Sequence, residues 1–258
     1  SAASVAETHP LIGDKIGVKV GQFFADTSTK LSVDGTVDII GEKFDFDESL
    51  GESEVDESVA IEFWGRFGER WIFAAQAFEF SSAETASLSI DIPWEDAVYP
   101  AGISVTGGTG INITRMFVGR DLVRDDKKVF GVGGGLHRLD MSAFIEGEAF
   151  IDDISTGPQR GTVSTTGLMP NVGAWFTYAP NEKWALTSRL DWLSASVGKY
   201  DGSIVNLSAG AHYRLAKHVG VGLHYNLFQL NIGVDDTGWR GDLDLRYHGP
   251  FVNLAVYW

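Results

Sequence analysis

With six histidines, no cysteine and a net charge of −15, this 258-residue chain is left with acid–base groups and hydroxyls for any chemistry it does. The absence of Cys removes disulfides, thiolate ligands and thiol nucleophiles together. The densest polar grouping lies in the last third, where Asp191, His212, Arg214 and His224 fall at spacings that alternating strands turn to one face. If Asp201-Gly202 is a two-residue hairpin turn, residue numbers summing to 403 lie opposite one another. That register sets Asp191 against His212 and Arg189 against Arg214. A three-residue turn at 216–218 then pairs His212 with Gly222 and leaves His224 diagonal to it, within about 7–8 Å. Such a cluster can serve as a proton-sensitive or solute-binding centre, or it can fill an interior as a self-neutralising charge network.

Other candidates are weaker. Ser208 and His212 share a face, but four residues along a strand separate them by about 13 Å, too far for a nucleophile and its base. The runs Gly131-Val-Gly-Gly-Gly135 and Gly107-Gly-Thr-Gly110 lack the Lys-Ser or Lys-Thr ending and the following helix of a phosphate loop. They read instead as strand glycines that permit close packing. Residues 34–57 form an acidic pole in which Asp45, Asp47 and Glu48 are weak candidates for a hard cation such as calcium, without the spacing of a twelve-residue calcium loop. A solvated loop is the plainer reading. His212 and His224 lack a third metal ligand unless Asp191 joins them, so no metal, cofactor or catalytic residue is expected.

The elements that would hold these groups are strands. Alternating segments occur at 15–33, 58–67, 71–90, 103–123, 128–149, 162–178, 183–200, 203–215, 219–234 and 239–258. Tight connections at 68–70, 124–126, 180–182 and 216–218 alternate with longer, acidic ones at 34–57, 91–102 and 150–161. Phe67, Trp71, Phe130, Tyr178, Trp184, Tyr213, Tyr257 and Trp258 sit beside the tight turns, where an interfacial girdle belongs. No apolar run is long enough for a membrane-spanning helix. The pattern predicts an all-β fold, a transmembrane antiparallel up-and-down β-barrel of about ten strands, with eight or twelve as alternatives. Residues 1–14 read as a periplasmic tail, with Ser4-Val5-Ala6 similar to the end of a signal peptide, and 15–258 as the barrel.

Strand parity sorts the side chains. Val18, Val20, Ile61, Phe63, Leu186, Leu190, Leu207 and Leu223 take the lipid face, leaving Lys19, Glu62, Arg66, Arg189, Asp191, His212, Arg214 and His224 in the lumen. Parity is ambiguous in the segments 103–123 and 162–178. The closing segment conflicts with itself: Leu243, Leu245 and Tyr247 are odd-numbered, whereas Val252, Leu254, Val256 and Trp258 are even. A bulge at His248-Gly249-Pro250 would reconcile them, turning Asp242, Asp244 and Arg246 inward.

The terminal alternation Val252, Leu254, Val256, Trp258, ending on an aromatic, resembles the assembly signal of Gram-negative outer-membrane β-barrels. Segments such as Gly220-Val-Gly-Leu-His-Tyr-Asn226 and Tyr247-His-Gly-Pro-Phe251 are similar to small barrels of that class. The resemblance implies the fold and the outer membrane of a Gram-negative bacterium, and carries over no catalytic residue. Its implied surroundings are membrane lipid and lipopolysaccharide, with divalent cations at the acidic loops and protein partners within the membrane. The charge balance disfavours nucleic acid. The function expected is a non-enzymatic barrel with a side-chain-filled lumen and a structural or surface-interaction role. A narrow channel or a small-solute or lipid binder is the alternative, and an outer-membrane lipid hydrolase is the least favoured.

Overall fold

A bilayer offers the backbone no hydrogen bonds, so alternating strands that cross it must close on themselves. The structure, a computed structural model, describes residues 8–34, 44–45, 56–87, 92–94, 97–151, 154–197, 200–236 and 239–258. Ten long antiparallel strands form a closed barrel. They are β1 Ile16–Asp34, β2 Asp56–Phe67, β3 Trp71–Ser87, β4 Ser104–Arg124 and β5 Lys128–Ile151, followed by β6 Ile154–Tyr178, β7 Trp184–Val197, β8 Tyr200–Ala216, β9 Val219–Asp236 and β10 Trp239–Tyr257. Each pairs with the next, and β1 pairs with β10 to close the ring. Short strands Phe44–Asp45 and Ala97–Tyr99 add to β1 and β5.

The tight turns fall where the sequence predicts them, and at Gly68 a positive φ of 61° suits a residue without a Cβ. Within the predicted loop at 150–161, residues 150–151 and 154–161 are instead strand, since β5 continues to Ile151 and β6 begins at Ile154. The β7–β8 hairpin also differs from expectation. Val197 pairs with Tyr200 and Ser196 with Asp201, so Asp201 and Gly202 lie within β8 rather than forming the turn. Paired numbers sum to 397, Asp191 faces Asn206, and Arg189 faces Ser208. Asp-Gly has the stronger turn chemistry, but its choice of register was overridden by the ladder of the two strands below it.

A belt of exposed apolar residues rings the barrel beside the tight turns, including Phe63, Trp71, Val118, Val132, Leu190 and Leu223. On β6 it runs from Leu168 to Tyr178. Ten residue steps at about 3.3 Å, with strands tilted about 40°, give a height of about 25 Å, the thickness of an outer-membrane apolar band. The aromatic girdle is present at the turn end, with Phe67 stacked on Trp71 at 6.2 Å and Trp184 against Tyr213 at 4.9 Å. Among the described residues no helix is long and apolar enough to cross a membrane.

Above the belt the polarity of the wall inverts. Arg138 and Asp140 flank Leu139 on β5, Gln229 and Asn231 flank Leu230 on β9, and Arg246 and His248 flank Tyr247 on β10. Leu139, Leu230 and Tyr247 are buried inside, with Phe23, Ile111, Ile113, Ile204 and Phe228. Where the outer face leaves lipid for water, the inner face becomes the hydrophobic core. This inversion explains the conflict in β10 and corrects the predicted bulge. The β9–β10 register is unbroken from Val219↔Val256 to Asp236↔Trp239. The apolar parity changes because the environment changes sides, so Arg246 is exposed on the outer face, and Asp242 and Asp244 share its parity. Val252, Leu254 and Trp258 are exposed on the belt, with Val256 half-buried.

Candidate functional site: the charged lumen

Beneath the apolar layer, an ionic chain crosses the barrel. Lys19 on β1 donates from Nζ to Glu62 Oε1 on β2 at 2.9 Å. The other oxygen of Glu62 accepts from Arg189 Nη1 on β7 at 3.1 Å. Arg189 also donates to Gln76 Oε1 at 2.9 Å and lies 3.5 Å from Asp191 Oδ2. Asp191 Oδ1 accepts from Arg115 Nη2 on β4 at 2.7 Å, and both of those side chains are fully buried. The order is therefore Lys19, Glu62, Arg189, Asp191, Arg115, with alternating sign. In a ring of ten, β2 and β7 are five strands apart in either direction. The Glu62–Arg189 bridge thus joins opposite walls and obstructs the lumen at that level.

The elements dictate this arrangement. Inward parity on β2 and β7 is fixed by Val59, Ile61, Leu190 and Trp192 turning to lipid, so Glu62 and Arg189 have only the lumen to enter. A buried ion is tolerated when paired and hydrogen-bonded, and each member of the chain has an opposite charge beside it.

The histidines form a separate line. His212 pairs across the ladder with Gly222, and His224 lies diagonal to it, with the two Nε2 atoms 2.7 Å apart. One ring must carry the proton between them and the other the lone pair. His224 Nδ1 is 3.4 Å from Ser208 Oγ, so His224, not His212, is the histidine near that hydroxyl. Gly222 makes room for the pair: a Cβ there would stand 2.7 Å from the His212 ring. Asp191 is held by Arg115 and Arg189 rather than by His212, and Arg214 lies near the turn rim, donating from Nε to Ala216 O at 3.3 Å. The expected four-residue cluster is therefore divided among three places.

The turn end has its own plug. Residues 1–14 read from the sequence as a tail, yet Thr8–Asp14 enter the barrel, and Pro10–Gly13 form a single helical turn with Leu11 and Ile12 buried against Trp64, Val129, Ala185 and Tyr257. Arg66 donates to the carbonyls of Asp14 and Leu11 at 3.0 and 2.9 Å, and Arg124 to that of Ile12 at 2.9 Å. Asp121 lies 3.7 Å from Arg66 and 4.0 Å from Arg124. Arg66 therefore belongs to the plug and not with Lys19 and Glu62. Burial pushes the His9 imidazole down to about 4, assisted by Arg214, and burial raises the Asp14 carboxyl above its usual range.

Sequence reasoning missed Arg115, Gln76, Asp121, His137 and Asn171, of which Arg115, His137 and Asp121 are fully buried. Arg115 shares parity with inward Ile113 and Phe117 while Met116 and Val118 face lipid, so β4 is apolar on both faces and its periodicity vanishes. The glycine run resolves similarly. Gly131 lies beneath the Trp175 ring, and Gly133 and Gly135 lie against Phe117, so bulky groups enter the lumen where their neighbours have none. A cavity of about 20 Å³, room for a single water, lies between the charged and apolar layers, lined by Gln76, Asn206, Asn226 and Phe78 among others. Of the weak cation candidates, Asp47 and Glu48 lie outside the described residues, and Asp45 is described only through its backbone pairing with Ser32.

No family model matches the chain, and no curated protein matches it in sequence. The outer membrane protease OmpT from Escherichia coli superposes with a TM-score of 0.63 at 11% identity, covering 99% of both chains. The attachment invasion locus protein Ail of Yersinia pestis gives 0.37 at 9% identity over 92% of this chain and 98% of its own. The toluene transporter TodX of Pseudomonas putida gives 0.35 at 10%, over 98% and 93%. Only the first superposition is close enough to bear on architecture, and at that identity it bears on the fold alone. With its exposed apolar belt, aromatic girdle and closed ring, the chain is a ten-stranded antiparallel β-barrel with the architecture of a membrane-spanning barrel.

Proposed function

We propose that this protein is a non-enzymatic outer-membrane barrel with a sealed lumen, whose working surface is the part standing outside the cell. The observation that carries this reading is the Glu62–Arg189 bridge between opposite walls. It is reinforced on one side by the plug of Thr8–Asp14 and on the other by stacked Phe228 and Tyr247, 4.7 Å apart, with Phe78 against both. Barrels near eight strands are just wide enough for side chains to fill, whereas aqueous channels appear nearer sixteen. Charged lumen residues then stabilise the barrel rather than select a solute. Lipid covers the belt, and lipopolysaccharide and divalent cations are the expected neighbours of its outer rim and of the acidic segment 34–57.

The likeness to a protease raises hydrolysis as a rival. A hydrolase needs a nucleophile or activated water within reach of its substrate. Ser208, His224 and His212 lie beneath the apolar layer, and a Ser–His separation of 3.4 Å is a weak contact. Liposome swelling with arabinose, together with fluorogenic peptide and phospholipid hydrolysis by the purified protein, tests the proposal. No swelling and no turnover are expected. Swelling would overturn the sealed lumen, and turnover abolished by Ser208→Ala would overturn the non-enzymatic reading.

A further inference from the structure

The exposed apolar belt carries a charge inside its margins. Outward-facing Glu79, Lys128 and Arg138 stand at its borders, and between those borders Arg120 on β4 is the one charged side chain facing outward among the described residues. It shares the parity of Met116 and Val118 and is exposed like them. Its four nearest neighbours on that face are apolar and exposed: Val118 and Leu122 along the strand, Trp71 opposite on β3, and Val132 opposite on β5. A bulge between Asp121 and Val123 turns Leu122 and Val123 outward together, so apolar surface also lies between Arg120 and the turn rim.

A guanidinium cannot shed its charge by losing a proton, and on a lipid face it is tolerated where it extends to the interface and meets a counter-charge. The chain supplies none. Asp121 points into the lumen, 3.7 Å from Arg66 and 4.0 Å from Arg124, and Arg120 forms no ion pair with any described carboxylate. What it has is the Trp71 ring, with its centre 5.9 Å from Cζ, which orients the guanidinium along the girdle without neutralising it. A second cation stands beside it: Arg70, exposed and next to Trp71 in the chain, donates from Nη1 to the Leu122 carbonyl at 3.4 Å, two residues from Arg120 on β4. The wider charge distribution agrees. Residues 14–15, 66–70, 120–128, 181–183 and 214–218, at the tight-turn end, hold ten of the 20 Lys and Arg but six of the 35 Asp and Glu. In a chain of net charge −15 this end is cationic, so its ligand is an anion.

We infer that Arg120, Arg70 and Trp71 form a seat for an anionic phospholipid, of the phosphatidylglycerol type, in the leaflet at the tight-turn end. The two guanidiniums share the phosphate, the indole lies at the level of the lipid glycerol, and an acyl chain runs over exposed Val118 and Met116. A zwitterionic headgroup brings its ammonium against two unneutralised cations, so the seat selects net negative charge. This goes beyond the sealed-lumen reading and needs only that the barrel span a bilayer, so lipid binding and liposome swelling fail separately.

The test titrates the folded protein in non-ionic detergent micelles with dioleoylphosphatidylglycerol or dioleoylphosphatidylcholine and reads bound lipid by native mass spectrometry. The native protein should hold the glycerol lipid about tenfold more tightly than the choline lipid, within what two interfacial cations supply. Arg120→Leu, which places at 120 the side-chain type of its neighbours, should weaken the glycerol lipid about fivefold and leave the choline lipid unchanged. Lys183→Gln, in a different tight turn, should change neither. Arg70→Gln should reproduce the loss from outside the belt, and it decides the matter if Arg120→Leu lacks the electrophoretic shift of a folded barrel. Equal affinity of the native protein for the two lipids would overturn the proposal, because Arg120 then only reaches for water. A loss in Lys183→Gln as large as in Arg120→Leu would also overturn it, replacing the seat with a diffuse cationic rim.

Discussion

Glu62→Ala probes the lumen most severely, because Glu62 is the carboxylate shared by Lys19 at 2.9 Å and Arg189 at 3.1 Å. The native chain carries three cations, Lys19, Arg189 and Arg115, against Glu62 and Asp191. Removing Glu62 leaves Asp191 alone among them and opens the link between β2 and β7. Breaking a buried pair by deleting one partner costs about 3–5 kcal/mol, since the surviving charge remains desolvated. With a denaturant slope of about 3 kcal/mol per molar, the midpoint of guanidinium unfolding in detergent micelles falls by about 1–1.7 M. Arg189→Ala alone should cost a similar amount. The double variant should cost less than the sum, with a coupling of about 2 kcal/mol or more. A loss below about 1 kcal/mol for Glu62→Ala is the behaviour of a solvent-screened surface pair. That outcome would refute the argument, because it would mean that water fills the lumen around the bridge.

Other consequences follow at the turn end and inside the wall. The plug should loosen in acid. His9 is buried with its pKa lowered to about 4 from 6.5, so its contribution is complete above 6.5 and is lost as pH falls toward 4. At about 1.4 kcal/mol per pH unit, docking weakens by at most about 2 kcal/mol at pH 5. The protection factors of residues 8–14, taken relative to the intrinsic exchange rate at each pH, should therefore fall between pH 6.5 and 5 and become insensitive to pH in His9→Phe. Deleting Trp258 removes its carbonyl as acceptor for Lys15 and Ile16 and its amide as donor to Ile16. Three backbone bonds at about 0.5–1.5 kcal/mol each suggest a loss of about 2–4 kcal/mol at the seam, visible as a smaller fraction of heat-modifiable barrel on gels. Gly17→Ala drives a Cβ into the Trp64 ring, and overpacking of this kind costs about 1–3 kcal/mol in the same unfolding assay.

Most of the wall was legible in the sequence because lipid imposes a strict alternation. Ile61, Phe63, Leu186 and Leu190 could face only outward, which leaves Glu62 and Arg189 to the inner side, where they meet at 3.1 Å. The pairing of His212 with Gly222 was also recoverable, since a tight turn fixes register over the residues beside it. The bridge from Glu62 to Arg189 was not, because contacts across a lumen join strands remote in sequence and no local rule pairs them. Arg115 was hidden by apolar neighbours on both faces of β4. In β10 the alternation was read rightly and explained wrongly: buried Tyr247 marks the height at which the strand leaves lipid, and the backbone register is unbroken there. The plug was missed because a segment of seven residues has too few apolar positions to declare which surface it will cover.

Single-channel recording in planar bilayers addresses the sealed lumen most directly. The native protein, inserted at defined copy number and held at up to about 100 mV, should give no discrete current steps, because Glu62 and Arg189 join opposite walls between a plug and an apolar layer. Reproducible steps from the native barrel, altered in size by Glu62→Ala or Arg189→Ala, would contradict the account and identify those residues as the lining of an open pore.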